Sequence, residues 1–266
     1  EKTGMEMQMK EKKYLWISVL SLAAVVLIWF LCVDILEVVR QSVFPGPIKV
    51  FETFIDKMYQ KNPDGATLPQ HLLESLKVCM LGYSLAAVVG IPLGIMMAWN
   101  IWVDRLARPL FDLIRPIPGI AWIPLFLLMF GIGIFSKAFV IFLTALIPCT
   151  VNAYTGIRQT SQIHLWVGDI FGASNIQKLF KIAIPTALPM IFTGLRVAIG
   201  SAWRSLIAAE LLASNKGFGF MIQQSRALSR TDIIIVGMFA IAFIGSLLDA
   251  VLRRIELKVA KGMNAV

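Results

Sequence analysis

The stretch that decides the fold is FGASNIQKLFKIAIPTALP, which covers residues 171–189. It lies between apolar segments that are each long enough to span a bilayer. Gly172 and Ala173 allow another surface to approach closely, and we expect Pro185 and Pro189 to stop one helix and start the next. A polar loop of about 30 residues is uncommon between spans unless something binds to it. The pattern predicts a transmembrane subunit that is driven by a separate soluble partner.

The composition indicates an all-α, polytopic membrane protein. Of the 266 residues, 58% are hydrophobic and 15% are charged, with a mean hydropathy of +0.75. Ordinary soluble domains carry roughly 25% charged residues. The net charge is +9, but the basic residues cluster at the ends of apolar runs, as the positive-inside bias predicts, and are not interleaved with aromatic residues. We therefore expect a lipid membrane and no nucleic acid as a partner.

Hydropathy predicts about six transmembrane helices, and the distribution of Lys and Arg between the loops predicts that both termini are in the cytoplasm. Pro116 and Pro118 before the third span, and Gly131 after it, predict a bent and partly unwound helix. The first span is longer than the apolar region of a signal peptide, so we expect a retained helix. The predicted regions are an N-terminal helix and external segment (1–71), a membrane core (72–252) and a cytoplasmic tail (253–266). The predicted spans are 15–33, 72–99, 120–133, 136–154, 188–212 and 233–252.

Few residues in the spans suit bond chemistry. The three cysteines, Cys32, Cys79 and Cys149, have no metal-ligand spacing, and His71 and His164 are far apart in the sequence. We therefore expect no metal site and no catalytic triad. The sequence also contains no GxxxxGK[ST] phosphate-binding loop, so this chain is not expected to hydrolyse ATP.

The loop motif resembles that of permease subunits of binding-protein-dependent ABC importers. Gly172-Ala173-Ser174 is followed after ten residues by Pro185, and then by Ala187-Leu188-Pro189. Further segments resemble the branch that handles taurine, alkanesulfonates, nitrate or bicarbonate. They include Gly90-Ile91-Pro92-Leu93-Gly94, Arg115-Pro116-Ile117-Pro118, Thr193-Gly194-Leu195-Arg196, Ala208-Ala209-Glu210-Leu211 and Gly217-Phe218-Gly219-Phe220-Met221.

This resemblance implies a type I ABC importer permease of the bacterial inner membrane. The loop then forms short coupling helices that sit in a groove of the ATP-binding subunit, with Phe171, Gly172, Ala173, Ser174 and Pro185 as the coupling residues. The implied partners are two ATP-binding subunits, a substrate-binding protein and a second copy of this chain. ATP and Mg²⁺ would be bound in the partner subunit, and this chain would need no cofactor.

The loop departs from the family pattern at one place. The family usually opens it with Glu-Ala-Ala, whereas this chain has Trp166-Val167-Gly168. The ion pair that the family glutamate often makes is therefore in question, and Asp169 is a candidate substitute.

Charged residues in the predicted spans mark a candidate translocation pathway. Arg196 and Arg204 are about 80° apart around a helix, so both can face one cavity and attract an anion. The alternatives are that Arg196 extends to the cytoplasmic face and that Arg204 pairs with an acid on another helix. Trp203 can line the same cavity, although aromatic residues more often pack helices. Glu210 is predicted near the outer end, as a gate or as a contact for a binding protein.

Three classes of function are compatible with the residues alone. An ABC importer permease for a small, anionic solute fits best. An ion-coupled secondary transporter would need more acidic residues at mid-membrane. An intramembrane enzyme or scaffold would need a nucleophile with a base, or metal ligands, in the spans.

Overall fold

The computed structural model describes residues 17, 19–41 and 43–263, and these residues form α-helices joined by short loops. No β-strand occurs among them. The helices are α1 (Val19–Ile35), α2 (Pro47–Tyr59), α3 (Leu68–Trp99), α4 (Ile101–Ile114), α5 (Ile123–Phe130), α6 (Ile134–Arg158), α7 (Gln162–Ile170), α8 (Asn175–Lys178), α9 (Ile184–Leu212), α10 (Phe218–Ala227) and α11 (Thr231–Met263).

The predicted membrane spans correspond to these helices. Four helical segments are long and apolar enough to cross a membrane: α3, α6, residues 175–212 and α11. The predicted third span is one arm of a pair, α4 with residues 119–130, that bends by 89° at the Pro116–Pro118 segment. The predicted first span corresponds to the shorter apolar α1, and its first residues lie outside the described part. Residues 1–16 of the predicted N-terminal region and residues 264–266 of the predicted tail also lie outside the described part of the chain.

The core forms where α3 crosses α6 and α6 packs on α9. A Cβ on Gly82 would lie 2.6 Å from the Ala138 carbonyl oxygen, and one on Gly94 would lie 2.3 Å from that of Thr150. Side chains at these positions would therefore separate the two helices, which is how small residues promote close packing in membranes. Gly82 and Gly94 therefore serve the close packing of α3 against α6.

The prediction that the prolines end one helix and start another is wrong. Residues 175–212 form one continuous helix, with Pro185 and Pro189 inside it. A π-helical stretch, Leu179–Ala183, comes just before Pro185. Its wider turn accommodates the proline, which has no N–H to donate to the preceding turn.

The helix directions define two opposite ends of the molecule. The helix α6 starts beside the loop that follows α9, where Lys137 Nζ donates to Ser214 Oγ at 2.9 Å, and it ends just before α7. Its 25 residues make it about 37 Å long. We call residues 159–183 the α7–α8 end. We call the opposite group, residues 57–75, 131–137 and 210–219, the α10 end.

Candidate functional site

The motif of the α7–α8 end forms a tight turn between two short helices. After α7 the chain reverses at Gly172, whose φ is +72°, a conformation that favours glycine. The N–H of Ala173 donates to the Gly168 carbonyl at 2.9 Å. Ser174 then caps α8: its Oγ accepts from the N–H of Gln177, whose side chain accepts from the N–H of Ser174.

Four of the five predicted coupling residues meet in this turn. Phe171, Gly172, Ala173 and Ser174 are consecutive, with the Phe171 ring at the tip. Pro185 is separated from them by α8 and the π-helical stretch. Its place is at the base of the long helix rather than in the turn.

The α7–α8 end is attached to the base of this long helix. Gly168 packs so closely that a Cβ would lie 2.9 Å from Cδ1 of Ile182. Asp169 forms an ion pair with Lys178 at 2.6 Å. The acid that remains in this loop therefore has a partner within the loop, and these contacts connect α7 to α8 and to the base of the long helix.

The tip of the α7–α8 end exposes large apolar side chains. Phe171 is 84% exposed and Ile170 is 82% exposed. Exposed apolar patches outside the bilayer indicate a protein contact. Trp166, Ile176 and Phe180 are further exposed apolar residues of this end.

Arg196 is held by acids on α11. Its Nε donates to Asp249 Oδ1 at 2.8 Å, and its Nη1 lies 3.6 Å from Glu256 Oε2. Thr193 Oγ1 also donates to Glu256, at 2.6 Å. This cluster joins α9 to α11, and neither predicted alternative for Arg196 included it.

Arg204 has none of the acidic partners of the Arg196 cluster. It is exposed, and its Nη2 donates to Ser201 Oγ at a long 3.4 Å. Within the described part of the chain, no acidic group forms an ion pair with it. The structure therefore does not bring the two predicted arginines together.

Trp203 and Glu210 are both buried between helices. Trp203 Nε1 donates to the Ile241 carbonyl at 3.1 Å, and the ring packs against Gly245. Glu210 is 1% exposed. Its carboxylate accepts from Ser75 Oγ at 2.7 Å and from the N–H of Gly219 at 2.9 Å. The pathway assignment of Arg196, Trp203, Arg204 and Glu210 stays a prediction.

The first N–H groups of α10 are bound by side chains from other helices. The N–H of Gly217 donates to His71 Nδ1 at 3.0 Å, and that of Phe218 donates to Ser75 Oγ at 3.1 Å. Glu210 accepts the next one, from Gly219. Because the first turn of a helix has no internal acceptors, α3 and α9 provide them. These three contacts are the α10 cap.

Sequence reasoning missed the polar residues that support this cap. His71 Nε2 lies 3.2 Å from Asp64 Oδ2, and Lys57 Nζ contacts the other Asp64 oxygen. Burial alone raises the pKa of Asp64, but His71 and Lys57 more than offset it, so the pKa of Asp64 is lowered. The available signal was a set of ionisable residues around the predicted start of the second span.

Comparison with known proteins identifies the family of this chain. Residues 90–263 match the family described as "Binding-protein-dependent transport system inner membrane component". The chain is 35% identical over 240 residues to the taurine transport system permease protein TauC of Escherichia coli (strain K12), covering 90% of this chain and 87% of that protein. It is 32% identical over 240 residues to the nitrate import permease protein NrtB of Synechocystis sp. (strain ATCC 27184 / PCC 6803 / Kazusa), covering 89% and 86%.

The fold is similar to a solved transporter structure. The match is to a chain of the MetNI methionine ABC transporter in inward-facing conformations, with a TM-score of 0.65. It covers 72% of this chain and 95% of that chain at 16% identity, so it carries the fold alone. The predicted all-α, type I permease-like fold class is confirmed.

Proposed function

The chain belongs to the family of binding-protein-dependent transport system inner membrane components, and from this we propose that it is the membrane-spanning permease of an ATP-driven importer. The observation that carries the proposal is the exposed apolar tip of the α7–α8 end. A capped, glycine-dependent turn presents Phe171 and Ile170 to the outside of the chain while its base is fixed to a long membrane helix. A soluble subunit that binds this tip can pull the long helix directly.

The energy source lies in a partner. We propose that two ATP-binding subunits bind the α7–α8 ends of two copies of this chain, and that ATP and Mg²⁺ are bound only in those subunits. ATP hydrolysis then takes place outside this chain, which acts without a cofactor of its own. The α7–α8 end and both termini are cytoplasmic in this arrangement, and the core of residues 72–252 forms half of the pathway.

The transported solute is small and anionic. The names of similar permeases refer to taurine and to nitrate, which both carry an oxyanion. Arg204 supports this choice because its guanidinium has no acidic partner among the described residues. A membrane helix rarely carries an unpaired arginine unless it faces a cavity, a pathway or another chain. We propose that Arg204 lines the pathway between two copies, and that a binding protein delivers the solute at the α10 end.

The test compares two glycines with the same backbone geometry at opposite ends. Gly172 has φ +72° and Gly65 has φ +82°, and a Cβ at either position meets nothing within 4 Å. Gly172→Arg and Gly65→Arg thus carry a similar backbone cost of about 1–2 kcal/mol. The permease is co-expressed with the products of its neighbouring genes. Co-purified ATP-binding subunit and ATPase activity stimulated by loaded binding protein are then measured in nanodiscs.

We expect Gly172→Arg to lose the ATP-binding subunit, because a long cation then occupies the docking surface, and Gly65→Arg to retain it. Equal retention by both variants would contradict the coupling role. If no ATP-binding subunit co-purifies with the unaltered chain and that chain alone still transports, the importer proposal itself is overturned.

A further inference from the structure

A polar cavity opens at the α10 end, beside the α10 cap. Its volume is about 250 Å³. Glu74 of α3 and Lys137 of α6 line it from two sides, and the loop 214–216 and the turn 132–134 close the rest. The proposed function places this cavity at the end that receives the solute, opposite to the α7–α8 end.

Lys137 is a buried cation with spare hydrogen-bonding capacity. It is 6% exposed, and its Nζ donates to Ser214 Oγ, which uses one of three N–H bonds. No carboxylate of the described residues forms an ion pair with it. Glu210 lies within electrostatic range, but its oxygens already accept from Ser75 and Gly219. A buried ammonium without a directly paired anion is costly, so the site favours an anion from outside.

Glu74 faces the same space with the opposite charge. It also lies within electrostatic range of Lys137, yet the two form no direct ion pair. Glu74 makes no hydrogen bond or ion pair within the described part of the chain. Lys216 lines the rim and is exposed to solvent. The cavity is thus lined by a carboxylate without an ion-pair partner and by an ammonium that makes one hydrogen bond, to Ser214.

We propose that this cavity binds a small zwitterion, with its oxyanion on Lys137 and its ammonium on Glu74. The inference rests on the proposed function and narrows its solute class from anions in general to aminosulfonates and similar molecules. A simple anion satisfies Lys137 alone and leaves Glu74 unpaired. A molecule with both charges satisfies both groups, because charge-assisted hydrogen bonds form at each of its ends.

Three ligands test the assignment, and the first two differ only in the ammonium group. Taurine carries both charges, ethanesulfonate lacks the ammonium, and nitrate is a bare oxyanion. Their binding to the complex of permease and ATP-binding subunit is measured by calorimetry in nanodiscs, without nucleotide or binding protein. The variants are Glu74→Gln and Lys137→Met. Glu52→Gln is the control, since Glu52 is an exposed glutamate of α2.

We expect the unaltered complex to bind taurine roughly tenfold more tightly than ethanesulfonate or nitrate, as one additional charge-assisted contact predicts. Glu74→Gln removes this preference by weakening taurine alone. Lys137→Met weakens all three ligands, and Glu52→Gln changes none. If the Lys137→Met permease does not assemble with the ATP-binding subunit, the ligand preference of Glu74→Gln decides the test alone.

Two results overturn the inference. One is that the unaltered complex binds no taurine, or binds taurine and ethanesulfonate equally well. The other is that Glu74→Gln affects both ligands equally or affects neither. If loaded binding protein still stimulates the ATPase in that case, the importer function stands and only the zwitterion site is rejected. Loss of that stimulation in the unaltered complex would reject the function instead.

Discussion

The two ends of this molecule are built in opposite ways. At the α10 end, polar side chains are buried and contact one another across long distances in the sequence. His71, Ser75 and Glu210 bind three consecutive N–H groups of α10. At the α7–α8 end, large apolar side chains are mostly exposed. The N–H groups of the α10 cap find their acceptors within this chain, whereas the apolar tip of the α7–α8 end is left exposed by it.

The two ends should therefore respond differently to mutation. Buried hydrogen bonds are strong in a low-dielectric interior and costly to leave unmade, so the α10 end keeps a single geometry. An exposed apolar tip costs free energy in the isolated chain and regains it on docking. Mutations at the first end should therefore change stability, and mutations at the second should change partner binding.

The largest loss of stability is expected from Glu210→Ala. It leaves the Gly219 N–H and the Ser75 hydroxyl without their acceptor inside the protein. Two buried groups without partners cost about 2–6 kcal/mol of unfolding free energy. The midpoint of thermal unfolding in nanodiscs measures the loss. Glu52→Ala removes an exposed glutamate and should leave the midpoint unchanged. Equal midpoints for both variants would show that the α10 cap does not stabilise the fold.

The next largest loss of stability is expected where α3 crosses α6, the two helices that connect the ends. Gly94→Ala places a Cβ 2.3 Å from the Thr150 carbonyl oxygen, which is backbone and cannot rotate away. Overpacking of this kind costs about 1–3 kcal/mol and should separate α3 from α6. The matched control is Gly200→Ala in α9, whose Cβ meets only Arg204 Nη1 at 3.9 Å. A lower unfolding midpoint for Gly94→Ala and not for Gly200→Ala is the expected result. The reverse order would contradict it.

A smaller, pH-dependent effect is expected at Asp64. Burial raises the pKa of Asp64, but His71 and Lys57 together lower it by more than burial raises it. The folded-state pKa is therefore below the ordinary value of 3.8. A carboxyl group with a lowered pKa stabilises the fold above its unfolded-state pKa and loses that contribution as the pH falls through the folded-state value. Asp64→Asn should therefore lower the unfolding midpoint at pH 7, and its difference from the unaltered protein should shrink below about pH 4. If the difference in unfolding midpoint between Asp64→Asn and the unaltered protein stays constant with pH, the assignment is contradicted. Glu52→Gln, at an exposed carboxyl group, is the control variant.

The sequence predicted the features that depend on neighbouring residues. The glycines of α3 fall on related faces, so their contact with α6 could be predicted, and Pro116 with Pro118 correctly indicated a bent third span. The glycine–serine turn was also predictable, because the conformational freedom of Gly172 and the capping preference of Ser174 are local properties.

The features that the sequence did not predict depend on residues that are far apart in the chain. Ser75 and Glu210 are 135 residues apart, and His71 and Gly217 are 146 apart. No local pattern pairs them, so the α10 cap could not be predicted from the sequence. The error at Pro185 has a different cause. A proline normally ends a helix, and the π-helical stretch that lets this helix continue has no clear signal in the sequence.

Phe171→Ser should have the smallest effect on stability and a large effect on partner binding. Its ring is 84% exposed, so Phe171→Ser removes almost no packing and should change the unfolding free energy by less than about 0.5 kcal/mol. Phe51 of α2, which is 65% exposed at the other side of the membrane core, provides the control Phe51→Ser. Loss of an apolar anchor at the centre of an interface costs about 2 kcal/mol or more of binding free energy. We therefore expect Phe171→Ser alone to weaken binding of the ATP-binding subunit by roughly thirtyfold in a titration of the nanodisc complex. If Phe171→Ser lowered the unfolding midpoint while the subunit still bound, the α7–α8 end would be stabilising the chain itself, and the contrast between the two ends would disappear.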